Sequence, residues 1–349
     1  MILCEICTSG RYESTLPLAI QSVAMQSMLP DKLLIYDDNE NKVNLTQPPL
    51  YYYLLNMLHR LDMQWEILPS NKKGQIYGHQ YALDAHSDYE FIWRLDDDEI
   101  AMPNTLEILY KTIIKNEKIG AVGGIVAQPN ITEKMPIDAS NKIEDIYKGI
   151  NEQWFYNKGD DEIKEVDHLY SSFLYRRSAA IEIGGYDMRL SKVGHREETI
   201  LTYGMKHAGY KNILNKNAVT WHFRMPDGGI RGEKEKFLWQ ADERVFELNM
   251  KDWEVDISLG KVIVLENGVG DHYMFKMLLP ELIEKYDKVT IAASNPGVFW
   301  DYRDKVNMIG MDQARLTLGD IEKFNIYKWC TENKWKGHML NAYRRMYQI

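Results

Sequence analysis

A chain of 349 residues, 45% hydrophobic and 27% charged, has the make-up of a globular protein of two or three domains that can bury a sizeable core. A formal net charge of −9 and a pI near 5.6 exclude a protein that grips a polyphosphate backbone by a general positive field. Nucleic acid is therefore not an expected partner, and any nucleotide needs a local site, with a metal ion as its natural helper.

Residues 1–7 carry no basic and no long apolar stretch, and no later window reaches the ~18 apolar residues of a membrane span. Cys4, Cys7 and Cys330 are an odd, sparse set that suits a reducing compartment better than a disulfide framework. The expectation is a cytoplasmic chain with no transmembrane segment. Cys4 and Cys7 match a CxxC spacing, but inside a strand-like run instead of at a helix start, so neither redox nor metal use is expected of them.

Apolar runs and helical periodicity alternate through 2–7, 16–25, 32–36, 63–68, 80–85 and 90–95. That rhythm predicts parallel strands joined by crossover helices. In such sheets ligands collect beyond the carboxyl ends of the strands. Three polar clusters fall there: Thr8, Ser9, Gly10 and Arg11; Asp37, Asp38 and Asn39; Asp96, Asp97 and Asp98. After a glycine-rich run at 120–124, a polar stretch to 167 reads as an insertion or a substrate-facing lobe carrying Trp154, Phe155 and Tyr156. Near Asp252 the pattern restarts. A buried strand at 261–265, a tight turn at 268–271, one amphipathic helix at 273–286 and a strand at 288–293 make a βαβ unit, so the expected domains are 1–251 and 252–349.

The strand-like run 90–95 leads into Asp96, Asp97, Asp98 and Glu99. Four adjacent acids repel one another unless something cationic sits among them. A hard divalent ion with oxygen ligands, itself bridging two phosphates, meets that need. The same acids also suit the positive end of a helix dipole. Asp37 and Asp38 close another strand, where they can accept hydrogen bonds from a base or ribose, or cap a turn.

These pieces carry a family likeness. Thr8 to Tyr12, the helix at 16–26, the strand into Asp37 and Asp38, Lys73 and Gly74 before a helix, and Arg94 to Asp98 stand in the order found in glycosyltransferase family 2. Gly184 to Asp187, Gly194 to Glu198, His207 to Tyr210 and Trp221 with His222 continue it, so the chain resembles that family over roughly 1–230. The resemblance implies the GT-A fold, a Rossmann-like mixed sheet flanked by helices, in a catalytic domain spanning 1–251. It implies a nucleotide-sugar donor, expected to be a UDP-sugar, and a glycan or other hydroxyl acceptor.

Position by position, the resemblance assigns Asp37 or Asp38 to the nucleobase. Thr8, Ser9, Arg11, Lys73 and Gly74 then line the nucleotide pocket. Asp96 and Asp98 are the outer acids of a DXD element, with Asp97 at the ribose and Asp98 on a Mn2+ or Mg2+ ion that His222 also binds. Glu197 and Glu198 occupy the place of the family's Glu-Asp pair, whose second acid is the general base of an inverting transfer. That makes Glu198 the base and Glu197 its rival, since a Glu reaches one methylene further than an Asp. The loop 226–232 has glycines that relax its backbone and Arg231 to meet a phosphate, and it reads as a lid over the donor or as a plain surface turn. The chain departs from its relatives at Tyr170, Ser171, Ser172 and Phe173, where a glycine-containing sugar-pocket strand is usual.

Residues 261–286, with Gly268, Gly270 and Asp271, look similar to the start of a heptosyltransferase-type GT-B domain. The remaining length is too short for two facing domains, so 252–349 is expected to be an accessory α/β half-domain for packing or homo-oligomerisation, without a nucleotide of its own. Trp329, Trp335, Tyr343 and Tyr347 are expected in its core. One rival function, nucleotidyl transfer, wants a glycine-rich basic start that residues 8–12 lack. Another, an inactive carbohydrate-binding scaffold, is opposed by the presence of Asp98, Glu198 and His222.

Overall fold

The computed structural model describes residues 1–127, 161–223 and 236–349, and these divide into two compact units that part between Val255 and Asp256. In the first unit β1 (Ile2–Thr8), β2 (Lys32–Asp37), β3 (Gln64–Pro69) and β4 (Phe91–Arg94) are parallel, in the spatial order β3-β2-β1-β4. Helices α1 (Leu16–Ala24), α2 (Pro49–Arg60) and α3 (Gln75–Ala85) make the crossovers between them. Every residue of β4 and nearly every residue of β1 and β2 is buried, as strands covered on both faces must be.

β5 (Glu99–Ala101), α4 (Thr105–Ile113), β6 (Ile119–Ala127), β7 (Ile163–Val166), β8 (Phe173–Arg176), α5 (Arg177–Glu182), α6 (Glu197–His207), β9 (Lys211–His222) and α7 (Lys236–Asp252) follow. They extend the sheet beyond β4 in the order β8-β6-β9-β5, with β7 also on β9. β8 runs antiparallel to β4 and β6, while β9 runs parallel to β6 and antiparallel to β5 and β7. The result is a nine-stranded mixed sheet flanked by helices.

The core of this unit packs Ile6, Leu16, Ile20, Leu33, Trp93, Leu106 and Leu174. Cys4 and Cys7, three apart on β1, point to opposite faces of the sheet and are free thiols. Two glycines set the position of α3. Gly74, just before it, has φ +119° and a Cβ there would lie 2.6 Å from the Lys192 carbonyl oxygen. At Gly78 a Cβ would meet Cys7 Sγ at 2.4 Å, so the helix lies directly against the sheet. The apolar strand β1 also carries Glu5 into the interior, 3.2 Å from His79 Nδ1 on α3. Burial pushes Glu5 well up and His79 well down, so the pair is held as a neutral acid beside a neutral imidazole.

The second unit has three parallel strands, β10 (Lys261–Leu265), β11 (Val289–Ala293) and β12 (Asn307–Ile309), in that order. The single helix expected at 273–286 is two, α8 (Val269–Lys276) and α9 (Leu279–Lys285). Pro280 is the reason: it lacks an N–H to continue α8 but fits the first turn of a new helix. The expected turn at 268–271 is already helical after Gly268, which caps α8. Asp271 in that first turn accepts hydrogen bonds from Tyr327 (3.0 Å) and Tyr343 (3.4 Å). Tyr343 and Tyr347 are core residues, with Trp329 and Trp335 packed partly buried against them. α10 (Met311–Leu318), α11 (Ile326–Glu332) and α12 (Met339–Tyr347) complete the unit. No helix among the described residues is long and apolar enough to cross a membrane. The expected lobe residues Trp154, Phe155 and Tyr156, and the loop 226–232 with Arg231, lie outside the described residues.

Candidate functional site

The order β2-β1-β4 sets the three polar clusters side by side at the carboxyl ends of neighbouring strands. At the end of β1, Thr8 Oγ1 donates to Asp97 Oδ2 at 2.8 Å and the Ser9 N–H donates to the same oxygen at 3.2 Å. Arg11 lies 3.3 Å from Asp98 and 4.0 Å from Asp97. At the end of β2, Asp37 is spent internally: Oδ1 accepts from the N–H and side chain of Asn39, and Oδ2 from the Tyr12 hydroxyl. Asp38 instead faces the start of α3, where its Oδ2 accepts from the Gly74 N–H at 2.8 Å and its carbonyl oxygen from Lys73 Nζ. Burial raises the Asp38 carboxyl above its ordinary range, against the Gly74 hydrogen bond and the Lys73 charge.

Beyond β4 the acids fold back onto β9. Antiparallel pairing sets Glu99 opposite His222, and His222 Nε2 comes to 3.2 Å from Asp98 Oδ1. Ligand atoms of Asp96, Asp98 and His222 all lie within 4.8 Å of one another, a group that can hold a metal ion. Asp96, which the family resemblance assigns to the donor, lies in this group as well, while Asp97 faces the end of β1. The donor set is two carboxylates and an imidazole, chemistry suited to Mn2+ or Mg2+.

The charge balance fits a cation there. Burial and the neighbouring Asp98 push Asp97 up to about 8, against the Thr8 hydrogen bond and Arg11. Burial and Asp96 push Glu99 to about 7, with His222 pulling the other way. Burial works to lower His222, but the Asp98 hydrogen bond and the charges of Glu99, Asp98 and Asp96 outweigh it and raise its pKa. The cluster thus takes up protons where it lacks positive charge, which is what an ion would supply.

α6 brings in the acidic pair. Its N-cap Arg196 is left-handed (φ +73°) and is gripped by Glu243 of α7 through both carboxylate oxygens, at 3.2 Å each. Glu197 is buried, and its Oε1 accepts from Arg94 Nη2 and from Gln75 Nε2, both at 2.6 Å. Glu198 is half-buried and electrostatically close to His168, whose imidazole is held neutral mainly by burial, at a pKa of about 4.

From sequence alone His168 is assigned no part in the site, and Arg94 none beyond its place in the family motif. Ser171 donates to the buried Glu99, whose other oxygen accepts the Asp96 N–H at 3.2 Å. The signal at Arg94 is a charged residue within an apolar run, which alternation on a strand explains just as well.

The family model described as Glycosyl transferase family 2 matches residues 6–184 and does not reach 261–286. A glucosyl-dolichyl phosphate glucuronosyltransferase from Haloferax volcanii is 26% identical over 325 residues, covering 80% of this chain and 97% of that protein. Among solved structures, GalNAc-T7 with UDP, GalNAc and Mn2+ aligns with a TM-score of 0.51 at 13% identity. That alignment covers 73% of this chain and 55% of the other, so the chain spans about half the length of that relative. The mannosyltransferase PcManGT from Pyrobaculum calidifontis, in complex with GDP-Man and Mn2+, aligns at 11% identity with a TM-score of 0.47, covering 72% of this chain and 67% of that one. With a family match over just over half its length and a fold shared with a solved glycosyltransferase, the chain belongs to glycosyl transferase family 2 and is a GT-A glycosyltransferase.

Proposed function

We propose that the protein moves a sugar from a nucleotide-sugar, with UDP-sugars the first class to try, to an acceptor hydroxyl with inversion at the anomeric carbon, in the building of a surface polysaccharide or another glycan. The observation that carries this reading is the convergence of Asp96, Asp98 and His222 at strand ends beside Thr8, Ser9 and Arg11. Mn2+ or Mg2+ bound there would offset the charge of the departing diphosphate. Asp38 is the better candidate for the nucleobase, since both oxygens of Asp37 are already taken. Arg11 and Lys73 add fixed positive charge beside the phosphates' expected path.

For the acceptor, Glu198 is the base. Glu197 is hydrogen-bonded to a guanidinium that never deprotonates, so accepting a proton would break a buried ion pair. Glu198 is less buried than Glu197, and a carboxylate there can take the acceptor's proton as the acceptor oxygen attacks. The 26% identical relative is named for transfer to a glucosyl-dolichyl phosphate, which makes that molecule the first acceptor to assay, with a UDP-linked glucuronate among the donors.

The reading is tested by thermal shift against a panel of nucleotide sugars with Mn2+, repeated in EDTA, followed by donor-turnover assays. A donor that binds the native state raises the melting temperature, and EDTA removes the rise. If no donor raises it in Mn2+ and no turnover responds to EDTA, the proposal fails.

A further inference from the structure

Arg94 ends β4, and the apolar run of that strand carries it fully into the interior. A single nitrogen does its work: Nη2 donates to Glu197 Oε1 at 2.6 Å and to Asp96 Oδ1 at 3.3 Å. Among the described residues Nε and Nη1 have no hydrogen-bond partner, and the Phe173 ring lies 5.8 Å from the guanidinium carbon. A buried guanidinium with most of its donors unused is a poor way to stabilise a fold, because a matched apolar pair in its place is often neutral or better. Its position needs another reason. Asp96 is one of the three residues of the metal group, and Glu197 is the first residue of α6, next to Glu198. Those two carboxylates come from chain segments about a hundred residues apart, and without a cation between them their charges would push them away from each other.

We propose that Arg94 is a positioning residue that ties the two halves of the active site together: it aims the Asp96 carboxylate at the ion and, through Glu197, sets the start of α6 so that Glu198 meets the acceptor. This rests on the metal and base roles given under the proposed function. The guanidinium touches neither donor nor acceptor. It acts by holding two carboxylates at one fixed separation, through a single nitrogen carried at the end of a planar, buried side chain. The donor-side and acceptor-side functions should therefore weaken together when the link is removed, even where the fold survives.

The deciding variant is the double replacement Arg94→Met with Glu197→Met, which exchanges the buried pair for apolar side chains that adapt to the space. Three quantities are compared with the parent: the thermal melt, the affinity for Mn2+ alone by electron paramagnetic resonance, and kcat and KM separately in Mn2+. The expected result is a cooperative melt, Mn2+ binding weaker by about 10- to 100-fold, and kcat lower by about 100-fold. Arg94→Lys, which keeps the charge but does not place a nitrogen where the rigid guanidinium sets Nη2, should show the same two losses in smaller measure. A double variant that melts, binds Mn2+ and turns over like the parent would overturn the proposal. So would one that no longer folds cooperatively, because the pair would then be structural. A parent that binds no Mn2+ would sink the metal reading first and this inference with it, whereas a parent that binds Mn2+ beside an unimpaired double variant would sink this inference alone.

Discussion

Glu197 and Glu198 are consecutive, yet neighbours on a helix point about 100° apart, so the same side chain meets two different environments. One is locked onto Arg94 and Gln75, and the other is half-exposed. Glu198→Gln keeps shape and hydrogen bonding but removes basicity, so turnover should fall by about 100-fold or more while donor affinity stays put. Steady-state rates beside donor titrations check this, and near-normal turnover would move the base elsewhere. Glu197→Ala strands a buried guanidinium, and its cost should be read in stability: about 3–5 kcal/mol in urea unfolding, the usual range for breaking a buried pair. Asp98→Asn removes an anionic ligand from the metal group and should abolish the Mn2+-dependent donor shift with cooperative unfolding retained. Equal donor affinity in variant and parent would end the metal assignment. At this scale Asp96, Asp97 and Asp98 were legible because four adjacent acids are hard to place without a cation. Arg94 was not, because a single Arg in a strand reads as ordinary alternation until its partners are known.

The helices place these residues, and two contacts show how firmly. Gly78→Ala would gain up to about 1 kcal/mol of helix propensity. The new methyl, however, would lie 2.4 Å from Cys7 Sγ and 2.7 Å from Tyr36 Cγ. Overpacking of that kind costs about 1–3 kcal/mol, so the net effect should be destabilising. α3 would have to lift away from the sheet, and it would take the Gly74–Asp38 hydrogen bond with it, so weaker donor binding should accompany the lower melting temperature. A variant at least as stable as the parent would show that the helix has room to move.

Glu243 of α7 holds Arg196 and His195 at the entry to α6. Burial opposes its ionisation, but the hydrogen bonds from His195 and Arg196 and the charge of Arg196 win and lower its pKa from 4.5 to about 2. A folded value below the unfolded one means the contribution is complete above about 4.5 and disappears as the pH falls toward about 2. Unfolding parent and Glu243→Gln between pH 7 and pH 3 should show a stability gap that closes as the pH falls, and a gap constant with pH would contradict it. Strands and the first helix were readable from apolar runs, because burial on both faces leaves little else. The break between α8 and α9 was missed because apolar spacing continues across it, and Pro280 alone marks it.

Every described residue of the candidate site lies before Val255, and the second unit has a core of its own around Ile263, Phe275, Phe299 and Tyr343. A chain ending at residue 255 should therefore keep its Mn2+-dependent donor affinity, which calorimetry on both lengths can compare. Nucleotide bound near Gly268 in the full chain, where Asp271 is already engaged by two tyrosines, would contradict that division of labour. The sequence by itself determined the α/β class and the strand-end acids, and their order along the chain identified the family. Those are properties of local pattern: an apolar run must be buried, and polar residues just past its end must fall at the sheet's edge. Which of those residues meet was decided only by tertiary structure. The order β3-β2-β1-β4 set Thr8 against Asp97, pairing of β5 with β9 carried His222 to Asp98, and packing of α6 laid Glu197 on Arg94. Such contacts join residues 89 to 124 positions apart, and no spacing rule encodes them, because they follow from the sum of many packing choices across the whole sheet.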